Sequence, residues 1–89
     1  MKSYMISYDL MTPGQRYERL LQRLIALGAI KILLSQWIIK TNWNAEQLRD
    51  DLARFVDAND RVFVAGLTGE AAWINALSGV DQVKAGLAA

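Results

Sequence analysis

The chain has 89 residues, room for one domain and no second core, and its 10 Lys and Arg against 9 Asp and Glu leave a net charge of +1. It contains no His and no Cys, so imidazole bases, thiolate nucleophiles, zinc–sulfur sites and disulfides are all excluded from its chemistry. Hydrophobic residues make up 53% of the sequence, a large share for a small domain and a reason to expect apolar surface buried against a partner.

The first element is a strand from Ser3 to Asp9. Its alternation puts Tyr4, Ile6 and Tyr8 on one face and Met5, Ser7 and Asp9 on the other. A helix follows: Thr12 is the expected N-cap, Pro13 suits the first helical position, and Gln15 completes a capping box. Tyr17, Leu20, Leu21, Leu24 and Leu27 recur at helical spacing, and Gly28 is the expected stop. Two strands come next, Ile30–Leu34 and Trp37–Thr41, with Ser35-Gln36 as their tight connection. Asn44 caps a second helix with Gln47 at its third position, and Trp43 and Leu48 match a hydrophobic staple. Asp57-Ala58-Asn59-Asp60 reads as a turn and Arg61–Leu67 as a fourth strand.

The order β-α-β-β-α-β predicts a ferredoxin-like α+β domain over residues 1–77, a four-stranded antiparallel sheet with two helices on one face. Apolar residues on both faces of the strands then predict a homodimer through the uncovered face. Thr68–Leu77 is expected to form a short helix packing Trp73 and Leu77, and residues 78–89 a weakly ordered tail. No apolar run approaches the ~20 residues of a membrane span, and Asp9 interrupts what would be the apolar segment of a secretory leader. No membrane partner and a cytoplasmic location are therefore expected.

With His and Cys missing, enzymatic chemistry points to a hard, oxygen-ligated divalent ion at Asp9. The competing reading makes Asp9 an Asx-type turn residue bonded to the backbone near Met11 or Thr12. Residues 1–40 carry a charge of +4 and residues 41–89 a charge of −3, so the first half is the electropositive one. Arg16, Arg19 and Arg23 lie on one stripe of the first helix. They are either a track for nucleic-acid phosphates or an ordinary solvated face. Trp37, Trp43 and Trp73 read as structural. Asp50 and Asp51 are expected to face outward, and Asp57 and Asp60 to bracket a turn.

Tyr8-Asp9, Gly28-Ala29, Ser35-x-Trp37 and Asp57-x-x-Asp60-x-Val62 resemble the CRISPR-associated protein two family of small ferredoxin-like dimers. That family includes metal-dependent nucleases and the structural subunit of the spacer-integration complex. Ser7-Tyr8-Asp9, Pro13-Gly14, Asn59-Asp60 and Gly69-Glu70-Ala71-Ala72-Trp73 bring the chain nearer to short standalone relatives. The virulence-associated D-type ribonuclease toxins share the architecture.

The resemblance implies a dimer in which two copies of Asp9 hold one Mg²⁺ or Mn²⁺ near the two-fold, with Ser35 as the family's serine beside the phosphate. It also implies RNA or DNA as substrate, a role in antiviral defence and a CRISPR integrase subunit as a further partner. Leu10-Met11-Thr12-Pro13-Gly14 stands where many members carry basic residues, a departure that fits a non-catalytic dimeric interaction module on the same fold. Ser35 lacks any base to activate it, so covalent catalysis is not expected.

Overall fold

A computed structural model of the protein describes residues 1–12 and 17–88. Its elements are β1 (Lys2–Asp9), α1 (Tyr17–Ala26), β2 (Ile30–Leu33), β3 (Gln36–Thr41), α2 (Ala45–Ala53), β4 (Arg61–Gly66) and α3 (Val80–Leu87). The fold is α+β: four antiparallel strands in the order β2-β3-β1-β4, with three helices. No helix among the described residues is long and apolar enough to cross a membrane.

The alternation of β1 decides the layering. Tyr4, Ile6 and Tyr8 point to one face and are buried there with Leu20 and Leu24 of α1, Leu48 and Leu52 of α2, and Trp37 and Ile39 of β3. Trp37 Nε1 donates to the Tyr8 hydroxyl at 2.9 Å, so the two large amphipathic side chains satisfy one another inside the core. Trp37 is thus structural, as its position in the pattern suggests.

The helix ends follow from local chemistry. Asn44 Oδ1 accepts from the Gln47 amide while Gln47 Oε1 accepts from the Asn44 amide, a complete capping box at the start of α2. Gly28, at φ +83°, ends α1: its amide donates to Ile25 and the Ala29 amide to Leu24, the paired bonds of a Schellman stop. The capping box expected from Thr12, Pro13 and Gln15 falls on positions that include residues outside the described ones.

The second face differs from expectation. Residues 68–77 form no helix, and the segment after β4 runs irregularly until α3. That segment is a strap across the sheet. It leaves β4 with the Leu67 amide bonded to the Ser3 carbonyl and reaches the opposite edge strand β2, where the Leu77 amide donates to Ile32 and Ser78 Oγ to Lys31. Trp73 and Leu77 remain partly exposed rather than packed in a helix.

The expected weakly ordered tail is instead the helix α3, whose Val83 and Leu87 bury against Ile38. Gly86 permits this docking. A Cβ there would stand 3.2 Å from Ile38 Cγ2 and 3.4 Å from Ile30 Cδ1, and its carbonyl, left open by the helix end, accepts from buried Ser3 Oγ at 2.8 Å. The chain itself therefore covers much of the face on which a partner was expected.

Replacing Gly86 with Leu forces α3 off the sheet. The expected result is a loss of about 1–3 kcal/mol in chemical denaturation, together with loss of amide-exchange protection over residues 83–88 and its retention in β1. Unchanged protection in α3 would contradict the packing account.

Candidate functional site

Asp9 ends β1 opposite Arg61, the first residue of β4. Ser35 sits in the turn between β2 and β3, and its carbonyl accepts from the Tyr8 amide at 3.1 Å. That bond brings the β2–β3 turn against the end of β1, although the two lie far apart in sequence. The result is a shallow recess of about 420 Å³ lined by Ser7, Tyr8, Asp9, Ser35, Gln36, Arg61, Val62 and Phe63. It occupies the part of the second face that the strap and α3 leave open. The structure thus brings Asp9 and Ser35 together. The connection itself is Leu34-Ser35, with Gln36 already in β3, one residue earlier than the sequence suggests.

The Asp9 side chain is 67% exposed and faces Arg61 Nη1 at 3.8 Å. A pair so open to water is weak and readily exchanged. Asp9 does not make the turn bond offered as its alternative role. The Met11 amide donates to Asp60 Oδ1 at 2.8 Å, and the other oxygen of Asp60 accepts from the Asp57 amide at 2.7 Å. Asp60 therefore closes both turns, and the Asp9 carboxylate is left to the recess.

Among the described residues no three carboxylates gather into a metal-binding group, and Asp9 is the only acid lining the recess. What the recess offers a cation is one carboxylate, the Ser35 hydroxyl and the Gln36 amide oxygen. All are hard oxygen donors, the set suited to Mg²⁺ or Mn²⁺, and Mg²⁺ is commonly held by only one or two carboxylates with water completing its shell.

The arginine stripe proves to be divided. Arg16 lies outside the described residues. Arg23 is not a free phosphate ligand: its Nε and Nη2 donate to the two oxygens of Asp51, each at 2.8 Å, a bidentate bridge from α1 to α2. Asp51 is only 12% exposed, which corrects its expected outward orientation, and Arg54 joins it at 2.8 Å. Arg19, Arg23 and Arg54 all lie over the Phe55 ring, 5.2–5.5 Å from its centroid. Arg19 stays exposed, but the stripe serves mainly to fasten α1 to α2. Asp50 does face outward, paired with Arg49.

Four residues of the recess escaped the sequence reading as site residues, Gln36 and Arg61, whose roles are given by their strand neighbours, and Phe63 and Ser7. Phe63 is 63% exposed beside Asp9 and Ser35. Ser7 Oγ is closed off from solvent without a hydrogen-bond partner. The only signal for either was an aromatic and a small polar residue at outward positions of their strands.

No protein-family model matches the chain, and no solved structure matches it.

The hydrogen bonds from Arg23, and less strongly those from Arg54, hold the Asp51 carboxyl below its usual value of 3.8, against the opposing effect of burial. A depressed folded pKa stabilises the fold above the unfolded value, and that stability is lost as pH falls through the lower, folded value. Asp51→Asn should therefore lower Tm at pH 7 by about 5 °C. The gap to the parent protein should narrow as pH falls below 3.8 and through the lowered folded value, as followed by circular dichroism across pH.

Proposed function

We propose that this protein is a ferredoxin-like nucleic-acid-binding protein of the CRISPR-associated protein two kind, in which two Asp9 recesses meet across a two-fold and support metal-assisted hydrolysis of phosphodiester bonds. The observation that carries this reading is the meeting of Asp9 and Ser35 in one solvent-open recess, with the Met11 amide bonded to Asp60 rather than to Asp9. The strand order β2-β3-β1-β4, all antiparallel, with α1 and α2 packed on one face, is the arrangement a ferredoxin-like fold requires and supports the reading.

A divalent ion held there would neutralise charge developing on a phosphoryl group and acidify a bound water. The protein's own groups act around it. Asp9 supplies the anionic ligand. Two such carboxylates brought together repel unless a cation or proton lies between them. Ser35 Oγ, with no base at hand, donates a hydrogen bond to a phosphate oxygen rather than attacking it. Arg61, weakly paired with Asp9, is released to the phosphate when the carboxylate is claimed by a cation.

A second reading is a dimeric interaction module without catalysis. It is favoured by two observations: Arg23 is committed to Asp51, and Arg61 is the one cation lining the recess among the described residues.

The test is incubation of the purified protein with RNA and with duplex DNA in Mg²⁺, Mn²⁺ or chelator, alongside Asp9→Ala. Metal-dependent cleavage that falls by about 100-fold or more in the variant is expected. Equal cleavage by both proteins contradicts the assignment. Salt-sensitive binding with no cleavage by either would establish the interaction module instead.

A further inference from the structure

Beneath the strap lies a second space that the chemistry of Asp9 does not use. It is a cavity of about 220 Å³ bounded by the sheet, by α3 and by the strap as its roof. Ile32 and Ile38 line it from the sheet, Val83 and Leu87 from α3, and Ala72 and Ala76 from the strap. Among the described residues no charged side chain lines it, and Gln36 supplies its one amide, able both to donate and to accept. Apolar cavities of roughly 150 Å³ stay dry and take up a benzene-sized molecule. Left empty, such a space costs stability, because the atoms around it have no contacts across it.

The roof can yield. The strap is fastened at its two ends, where Leu67 bonds to Ser3 and where Leu77 and Ser78 bond to β2. Between those ends, residues 68–76 make no backbone hydrogen bond among the described residues. A stretch held only at its ends opens locally at low cost. Trp73 and Leu33 line the cavity yet stay 37% and 47% exposed, so they mark its mouth. Asp9 and Phe63, where the proposed two-fold would sit, are not among its walls.

We propose that this cavity binds a small, uncharged, largely apolar ring compound, with its ring among Ile38, Val83 and Leu87 and one polar group on the Gln36 amide. The volume sets the size at one ring or two fused rings. A rigid ring fills the space without the rotamer entropy that a flexible chain would lose. The uncharged lining rejects carboxylates and phosphates, which would surrender their hydration with no counterion in return. The amide fixes the orientation of the bound ring, the usual division of labour in a small-molecule site. The site is independent of metal binding at Asp9, since the cavity and the recess share only Gln36.

The test is methyl NMR of the full chain, labelled at Ile, Leu and Val, titrated separately with indole, 1-methylindole and indole-3-acetate. Indole should shift the methyls of Ile32, Ile38, Val83 and Leu87 saturably and raise Tm. 1-Methylindole, whose ring nitrogen has no hydrogen to donate, should bind about twofold to tenfold more weakly. That difference should vanish in Gln36→Met. Indole-3-acetate should leave the methyls unmoved. Ala72→Leu and Ala76→Leu, each filling the cavity from the strap, should remove the indole shifts while raising the Tm of the free protein.

No saturable indole shift in the parent protein overturns the proposal, and a Tm raised by the leucine variants would then identify a packing void. Indole shifts that persist in both leucine variants, or that centre on other methyls, overturn it too. Binding of indole-3-acetate as tight as that of indole does the same. Movement of these methyls on dilution of the protein alone would seat a second copy over the cavity and displace the small-molecule assignment.

Discussion

The alternation of β1 is the constraint on which the rest of the molecule depends. Tyr4, Ile6 and Tyr8 are buried under α1 and α2, and the two-residue period of a strand then obliges Ser3, Met5, Ser7 and Asp9 to the opposite face. A slip of one residue would exchange the two sets. The Tyr8–Trp37 hydrogen bond helps prevent it, since each polar tip has its partner only in this register. Because β1 lies between β3 and β4, its outward residues are also the centre of the second face. Ser3 anchors α3, Met5 lines the groove beneath the strap, and Ser7 and Asp9 lie in the open recess. One strand therefore sorts its own outward side chains into a structural half and a half available to a ligand.

The division of that second face is the main departure from a simple two-layer expectation. The strap and α3 bury Ile38 and tie down the edge strand β2, so the apolar excess of the composition is partly absorbed within the chain. Gly86 and Ser3 make this economical. The glycine lets a helix backbone approach the sheet, and the serine satisfies a carbonyl that the helix end leaves open. What remains uncovered is small, polar at one end and aromatic at the other. A two-fold pairing of chains, in the proposed function, is thereby confined to the neighbourhood of Asp9 and Phe63 rather than spread over the whole sheet.

Legibility in the sequence followed the range of the interactions involved. The faces of β1, the Asn44–Gln47 box and the Gly28 stop were readable because their physics is local, set by spacing within a few residues. Asp51 was misread because its partner, Arg23, lies on another helix. Asp60 was read as a turn residue, but its reach to Met11 depends on the ends of β1 and β4 being neighbours. α3 was missed because Gly86 and the surrounding small residues suggested disorder. In the fold that small size is what lets the helix dock, and Val83 with Leu87 supplied a short apolar spacing too brief to stand out. Asp9 was named from its place at the end of a strand in a chain without His or Cys, and Ser35 from a resemblance; that they share a recess depends on the Tyr8–Ser35 backbone bond. Phe63 and Ser7 could be joined only through the register of two strands.

The central claim is that the chemistry of this protein resides at the open end of β1, around Asp9. Titration of the isotopically labelled protein with paramagnetic Mn²⁺, followed by amide line broadening, tests it most directly. The account predicts that amides of Tyr8–Leu10, Ser35–Gln36 and Arg61–Phe63 broaden first and together, and that this pattern disappears in Asp9→Asn. Broadening centred on Asp57–Asp60 or Asp50, with the end of β1 unaffected, would contradict it.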